Sequence, residues 1–194
     1  MVLIAIYNPA SGDRHAKTVL VQHTLPLLTS HSIPIDGVFA TEYPGHAGQI
    51  VGDSITKSGE RHVQVVLCSG DGTLHEIING IPLTGEINAL DFVLIPCGTA
   101  NALYSSLFPP NSSQLNDPVY ILQSLHSYLR RSHTRPLQVA VNTISSSAPP
   151  VEVLSTMITS TCLHASILRD SEALREEFPG VDRFVDRFLR SDND

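Results

Sequence analysis

The chain has 194 residues, 19 acidic against 12 basic side chains, a formal net charge of −7 and a mean hydropathy of +0.07. An acidic balance with no basic stripe argues against a nucleic-acid surface, and three scattered cysteines without C-x-x-C spacing argue against a zinc site or a disulfide framework. No apolar run approaches the roughly 20 residues that cross a bilayer, and the N-terminus lacks a basic region and a cleavage site, so a cytoplasmic location is expected.

Val2 to Tyr7 is a short apolar strand that turns through Asn8-Pro9-Ala10-Ser11-Gly12. Ala16, Val19, Leu20, His23 and Leu27 then recur at helical spacing, with Pro26 expected to kink the helix or end it early. Ile35, Val38 and Phe39 mark a second strand running to Thr41; Ala47, Ile50, Val51 and Ile55 mark one face of a helix that ends near Gly59. Val63, Val65, Val66 and Leu67 form a third strand, followed at Gly70-Asp71-Gly72 by a helix, and Phe92 to Ile95 a fourth, followed by another helix from Asn101. Asp117 to Arg130 reads as a helix capped by Asp117 with Pro118 at its first position. Alternation of strand and helix predicts an α/β fold, a mostly parallel three-layer sandwich over residues 1–133. Residues 134–194 change pattern: 136–142 and 151–158 read as a β-hairpin opening a β-rich second lobe, and a helix is expected from about 170 to 189, broken at Pro179-Gly180.

The chemistry concentrates in three turns. Gly70 and Gly72 flank a carboxylate where a buried strand gives way to a helix, so the backbone can approach a ligand closely while the helix N-terminus favours negative charge. That is the pattern of a phosphate site. Asp71 would repel a phosphate, so its presence implies a metal ion or a proton to remove, and hence phosphoryl transfer. The segment is neither a G-x-x-x-x-G-K-[ST] loop nor a dinucleotide fingerprint, because His75 stands where the third glycine would be. Asn8 and Ser11 after the first strand, and Gly98, Thr99 and Asn101 after the fourth, offer polar groups at the carboxyl edge of the same sheet, where open parallel sheets bind ligands. Cys68 and Cys97 each end a strand and read as small buried thiols; six of the nine histidines, His62 among them, read as solvated surface.

Taken in order, Asn8-Pro9-x-Ser11-Gly12, Thr41-Glu42 with His46-Ala47, Ser69-Gly70-Asp71-Gly72-Thr73-x-x-Glu76 with Asn79-Gly80, and Pro96-x-Gly98-Thr99-x-Asn101-Ala102 resemble the catalytic domain of diacylglycerol kinases and sphingosine kinases. Ser69, the His75-Glu76 pair and Asn101-Ala102-Leu103 look more like the sphingosine kinase branch, and NAD kinases share a similar Gly-Asp-Gly turn. The resemblance implies ATP and Mg2+ as cofactors, a lipid alcohol as acceptor and peripheral contact with membranes. Asn8, Ser11, Gly12, Thr41, Ser69, Gly70, Gly72, Thr73, Gly98, Thr99 and Asn101 would surround the nucleotide, with Glu76 contacting it or lying just behind. Asp71 would be the general base or an indirect magnesium ligand, and no residue is assigned as a direct metal ligand.

Ser171-Glu172-Ala173-Leu174-Arg175 and Gly180-Val181-Asp182-Arg183-Phe184 look like the stretch where sphingosine kinases place two arginines on ATP phosphates, which makes Arg175 and Arg183 nucleotide candidates. Where those kinases hold the substrate amine with a carboxylate this chain has Leu168, with Asp170 nearby as a substitute. The resemblance also implies a two-lobed molecule of whose second lobe only the first elements are expected here, leaving residues 136–161 with an apolar face to cover. An NAD kinase and an inactive nucleotide-binding remnant are the alternatives.

Overall fold

In the computed structural model, which describes residues 1–81, 89–110, 117–132, 134–146, 149–157, 162–175, 177–178, 182 and 184, four parallel strands form the central sheet. They are β1 (Val2–Tyr7), β2 (Gly37–Ala40), β3 (His62–Ser69) and β4 (Ala89–Pro96), in the spatial order β2-β1-β3-β4. Both faces of the sheet are covered, which is why β1 and β3 read as near-continuous apolar runs rather than as alternating ones. Leu3, Ala5, Val66 and Cys68 face one layer; Val2, Ile4, Ile6, Val63, Val65 and Leu67 face the other.

The first layer holds α1 (Ala16–Val19), a π turn (Leu20–Thr24) and α2 (Leu25–Ser30), which run on without a break and bury Ala16, Val19, Leu20 and Leu28. Pro26 was expected to kink or end this helix, yet the helix passes through it to Ser30. The N–H of Leu25 reaches back to the carbonyl of Leu20, so the turn just before the proline is widened. A widened turn relieves the clash between a proline ring and the carbonyl four residues earlier.

The other layer is built by α3 (His46–Ser58) and α4 (Asp71–Gly80), which bury Ala47, Ile50, Val51 and Ile55, and Leu74, Ile77 and Ile78. The two helices cross at Gly48 and Gly80, where a Cβ on either residue would stand 2.9 Å from the other's Cα. Beyond β4 come α5 (Ala102–Leu107), α6 (Pro118–Ile121) and α7 (Gln123–Leu129). Asp117 caps α6 as expected, its carboxylate accepting the Val119 N–H at 2.9 Å, and the expected single helix is divided at Leu122.

The second sheet is an antiparallel hairpin of β5 (Ala140–Ile144) and β6 (Val151–Ser155), with Val141 opposite Leu154. Its first strand starts four residues later than the sequence pattern suggests, at Ala140, which pairs with Ser155, the last residue of β6. Leu137, Leu154 and Met157 pack against the α3–α4 layer, while Val141, Ile144 and Val151 are exposed. The last described helix, α8 (Cys162–Ser171), begins eight residues before the expected start at 170, and much of the expected range to 189 lies outside the described residues.

Candidate functional site

The strand order determines where a ligand can enter. β1 and β3 are neighbours, but α1 leaves β1 toward one face and α4 leaves β3 toward the other, so a crevice opens between their carboxyl ends. The turns Asn8–Gly12 and Ser69–Gly72 flank it, and the turn after β4 lies beside the second of them.

A row of hydrogen bonds joins the first two turns. The Ser11 and Ser69 hydroxyls stand 2.7 Å apart, Ser69 Oγ donates to Thr73 Oγ1 at 2.6 Å, and Asn8 Nδ2 donates to the same Thr73 oxygen at 3.1 Å. Ser69 has a single proton and gives it to Thr73, so Ser11 is the donor in the first bond. Thr73 accepts twice, which leaves its own proton as the one the row still has to give. Ser11, Ser69 and Thr73 are all buried, so these bonds replace water that the groups have lost.

The glycines divide by what surrounds them. A Cβ on Gly98 would stand 2.4 Å from the Gly70 Cα, and one on Gly70 2.8 Å from the Gly98 Cα, so the two turns meet backbone on backbone. Gly12, at φ +48°, presses on the Cys97 carbonyl in the same way, at 2.6 Å. Gly72 differs: a Cβ there would meet nothing within 4 Å. Asn101 adopts a left-handed backbone at φ +50° and closes a ring with Gly98, accepting from its N–H and donating to its carbonyl, both at 2.8 Å.

Asp71 opens α4 and reaches across to α5. Its Oδ2 accepts the Ala102 N–H at 2.7 Å and its Oδ1 accepts the Leu103 N–H at 3.1 Å. Both oxygens are thereby aimed, and each keeps a lone pair. The notch beside Asp71, lined by Ser69, Gly70, Leu74, Asn101 and Leu103, holds only about 20 Å3, little more than one water. A ligand of nucleotide size must lie over the turns. A cavity of about 530 Å3 opens next to them, lined in part by Gly12, Gly98, Thr99 and Asn101.

The other candidates stand further out. Thr41 extends β2, its N–H bonded to the Tyr7 carbonyl at 3.0 Å, and the loop after it is stiffened by the Tyr43 and His46 rings stacked with centroids 4.4 Å apart. Glu76 is half-buried on α4 with no ion-pair partner among the described residues. The Arg175 guanidinium is engaged by Glu172 at 2.7 Å through two nitrogens, and Arg183 lies outside the described residues. Among the described residues no three His, Cys, Asp or Glu side chains form a metal-binding group.

Beneath the turns, Cys68 and Cys97 are fully buried. Burial pushes the Cys97 thiol up to about 12, and burial first, then the neighbouring Cys97, pushes the Cys68 thiol up. Iodoacetamide at pH 8 is therefore expected to leave both unmodified in the native protein and to modify both after unfolding, as read by mass spectrometry. Rapid native labelling of either would contradict their place in the core. His62, read from sequence as solvated, keeps 40% of its side chain exposed and also sits 2.7 Å from Asp91 through Nε2, reaching from β3 to the neighbouring β4.

One contact had only a weak sequence signal. Asn79, in the last turn of α4, donates through Nδ2 to the Leu154 carbonyl at 2.9 Å and accepts the Leu154 N–H at Oδ1 at 2.8 Å. Its side-chain amide pairs with β6 as a neighbouring strand would. In the sequence Asn79-Gly80 stands out only as the end of the motif that begins at Ser69, and nothing local names the partner, 75 residues away.

The fold and crevice define a parallel α/β domain whose switch point is built around a glycine-flanked carboxylate. The family model for the diacylglycerol kinase catalytic domain matches residues 2–140, and the chain belongs to that family. It is 32% identical over 105 residues to sphingoid long chain base kinase 5 of Saccharomyces cerevisiae and 31% identical over 105 residues to human sphingosine kinase 2, in each case covering 52% of this chain and 15% of the relative. It is 27% identical over 135 residues to the mitochondrial acylglycerol kinase of Xenopus laevis, covering 68% of this chain and 29% of that one. A crystal structure from Bacillus anthracis str. Sterne, described as a candidate diacylglycerol kinase, shares the fold with a TM-score of 0.51 at 24% identity, over 71% of this chain and 40% of that one. The chain thus spans well under half the length of these relatives. Among the described residues no helix is long and apolar enough to cross a membrane.

Proposed function

We propose that this domain supports transfer of the γ-phosphoryl group of ATP to the hydroxyl of a lipid alcohol, a sphingoid base or a diacylglycerol. The observation that carries the proposal is the crevice itself, where Gly72 alone among the turn glycines Gly12, Gly70, Gly72 and Gly98 faces open space, at the N-terminus of a ten-residue helix. Backbone N–H groups there suit phosphate oxygens, and the Ser11-Ser69-Thr73 row offers a further donor. Asn8, Thr41, Gly98, Thr99 and Asn101 would bound the nucleotide; magnesium would enter on its phosphates, with the Asp71 carboxylate at the turn and Asp13 on the wall of the adjoining cavity. The metal would neutralise charge on the transferred group. Asp71 would accept the proton of the attacking hydroxyl, or hold water on the metal, from an orientation already set by the amides of α5.

The family and the named relatives favour a lipid acceptor over NAD. The test offers labelled ATP and magnesium with sphingosine, diacylglycerol or NAD in parallel. Labelled lipid is expected. Labelled NAD alone, or ATP binding with no product on any acceptor, would overturn the proposal.

A further inference from the structure

A second cleft, of about 560 Å3, runs along the outer edge of β4, between that strand and α7. Phe92, Leu94, Leu107 and Phe108 give it an apolar floor, and Arg131 and Arg135 line it as well. It meets the crevice at Leu94, which also lines the notch beside Asp71. Its far end is marked by Gln64, the third residue of β3, which stands six residue steps of strand, roughly 20 Å, from Gly70.

The charges of the cleft are unevenly satisfied. Asp91 is engaged, its Oδ2 bonded to His62 at 2.7 Å and to Gln64 at 3.2 Å, and Gln64 is held in turn by the Tyr128 hydroxyl at 2.8 Å. Among the described residues, neither Arg131 nor Arg135 has an acidic partner. An added strand is a poor occupant, because the Leu94 N–H on this edge is already taken by Ser124 Oγ at 3.0 Å. An apolar floor with two unpaired guanidinium groups suits a ligand with an alkyl chain and an anionic head.

We infer that this cleft is a binding site for a single-chain amphiphile with an anionic head, a carboxylate or a phosphate monoester. The chain lies over Phe92, Leu94 and Leu107, and the head meets Arg131 and Arg135. The inference does not depend on the kinase reading, since Arg131 and Arg135 take no part in it; Leu94 alone is shared with the notch beside Asp71.

Laurate and dodecyl phosphate, each below its micelle concentration, are titrated calorimetrically into the full chain, beside dodecyltrimethylammonium as a cation of equal length and phosphatidate vesicles as a bilayer. Both anions are expected to bind at one site, to compete with each other and not with ATP, and to lose at least tenfold in affinity in R131Q/R135Q. Leu107→Gln, on the floor, is expected to weaken both anions alike, with an unchanged melting temperature confirming the fold of each variant. Equal binding of the cation, displacement by ATP, undiminished affinity in R131Q/R135Q, or binding to vesicles alone would each overturn the inference.

Discussion

Gly98→Ala is expected to destabilise the protein by about 3 kcal/mol, at the upper end of overpacking effects, whereas Gly72→Ala leaves the fold intact and weakens ATP binding at least tenfold. The Gly98 Cβ would stand 2.4 Å from the Gly70 Cα and 2.9 Å from the Asn101 side-chain oxygen, so it meets backbone that is itself held by β3 and β4. Neither turn can retreat without breaking the Cys97 N–H bond to the Ser69 carbonyl at 3.0 Å. For a chain of this size such a loss lowers the melting temperature by roughly 6–12 °C. Gly72 lies within helical backbone in open space, where alanine is the better helix former by up to about 1 kcal/mol. Its variant should melt at or above the wild-type temperature. Paired melting curves and ATP titrations distinguish the two, and wild-type ATP affinity in Gly72→Ala would show that the open space is not where the nucleotide lies.

Asp71→Asn is expected to reduce phosphoryl transfer at least a hundredfold, the range of a lost general base, while costing about 1–2 kcal/mol of stability. Both effects follow from the two bonds to α5. The aspartate accepts at both oxygens; asparagine accepts at one and turns an NH2 toward the other amide, leaving an N–H of Ala102 or Leu103 unpaired. The loss is local and the crevice remains, so ATP affinity should stay within a few-fold of wild type while turnover is lost. Retained turnover would leave Asp71 as an anchor for α5 and take it out of the chemistry.

The parallel sheet was legible because its strands are buried on both faces, and Val63 to Leu67 and Val2 to Tyr7 say so without help from distant residues. The turns were legible for a similar reason: glycine, carboxylate and amide side chains in short order have few structural explanations. What the turns do to one another was not legible. Gly70 and Gly98 both read as ligand-facing, although the contact that excludes a Cβ from each is the other glycine. Asp71 read as a group facing substrate, but its bonds to Ala102 and Leu103 depend on how far β4 carries the chain past β3. The passage of the helix through Pro26 was hidden because a π turn leaves no mark in a 3.6-residue pattern, and the Asn79–Leu154 pairing because it joins residues 75 apart, a contact no periodicity records.

Asn79 stands near one end of α4 and Asp71 at the other, about 12 Å apart along a helix of ten residues. The helix is thus a stiff strut, clamped to the α5 amides at its first turn and to β6 at its last. A strut clamped at both ends resists tilting, so the orientation of the Asp71 carboxylate rests on Leu154 as well as on Ala102 and Leu103.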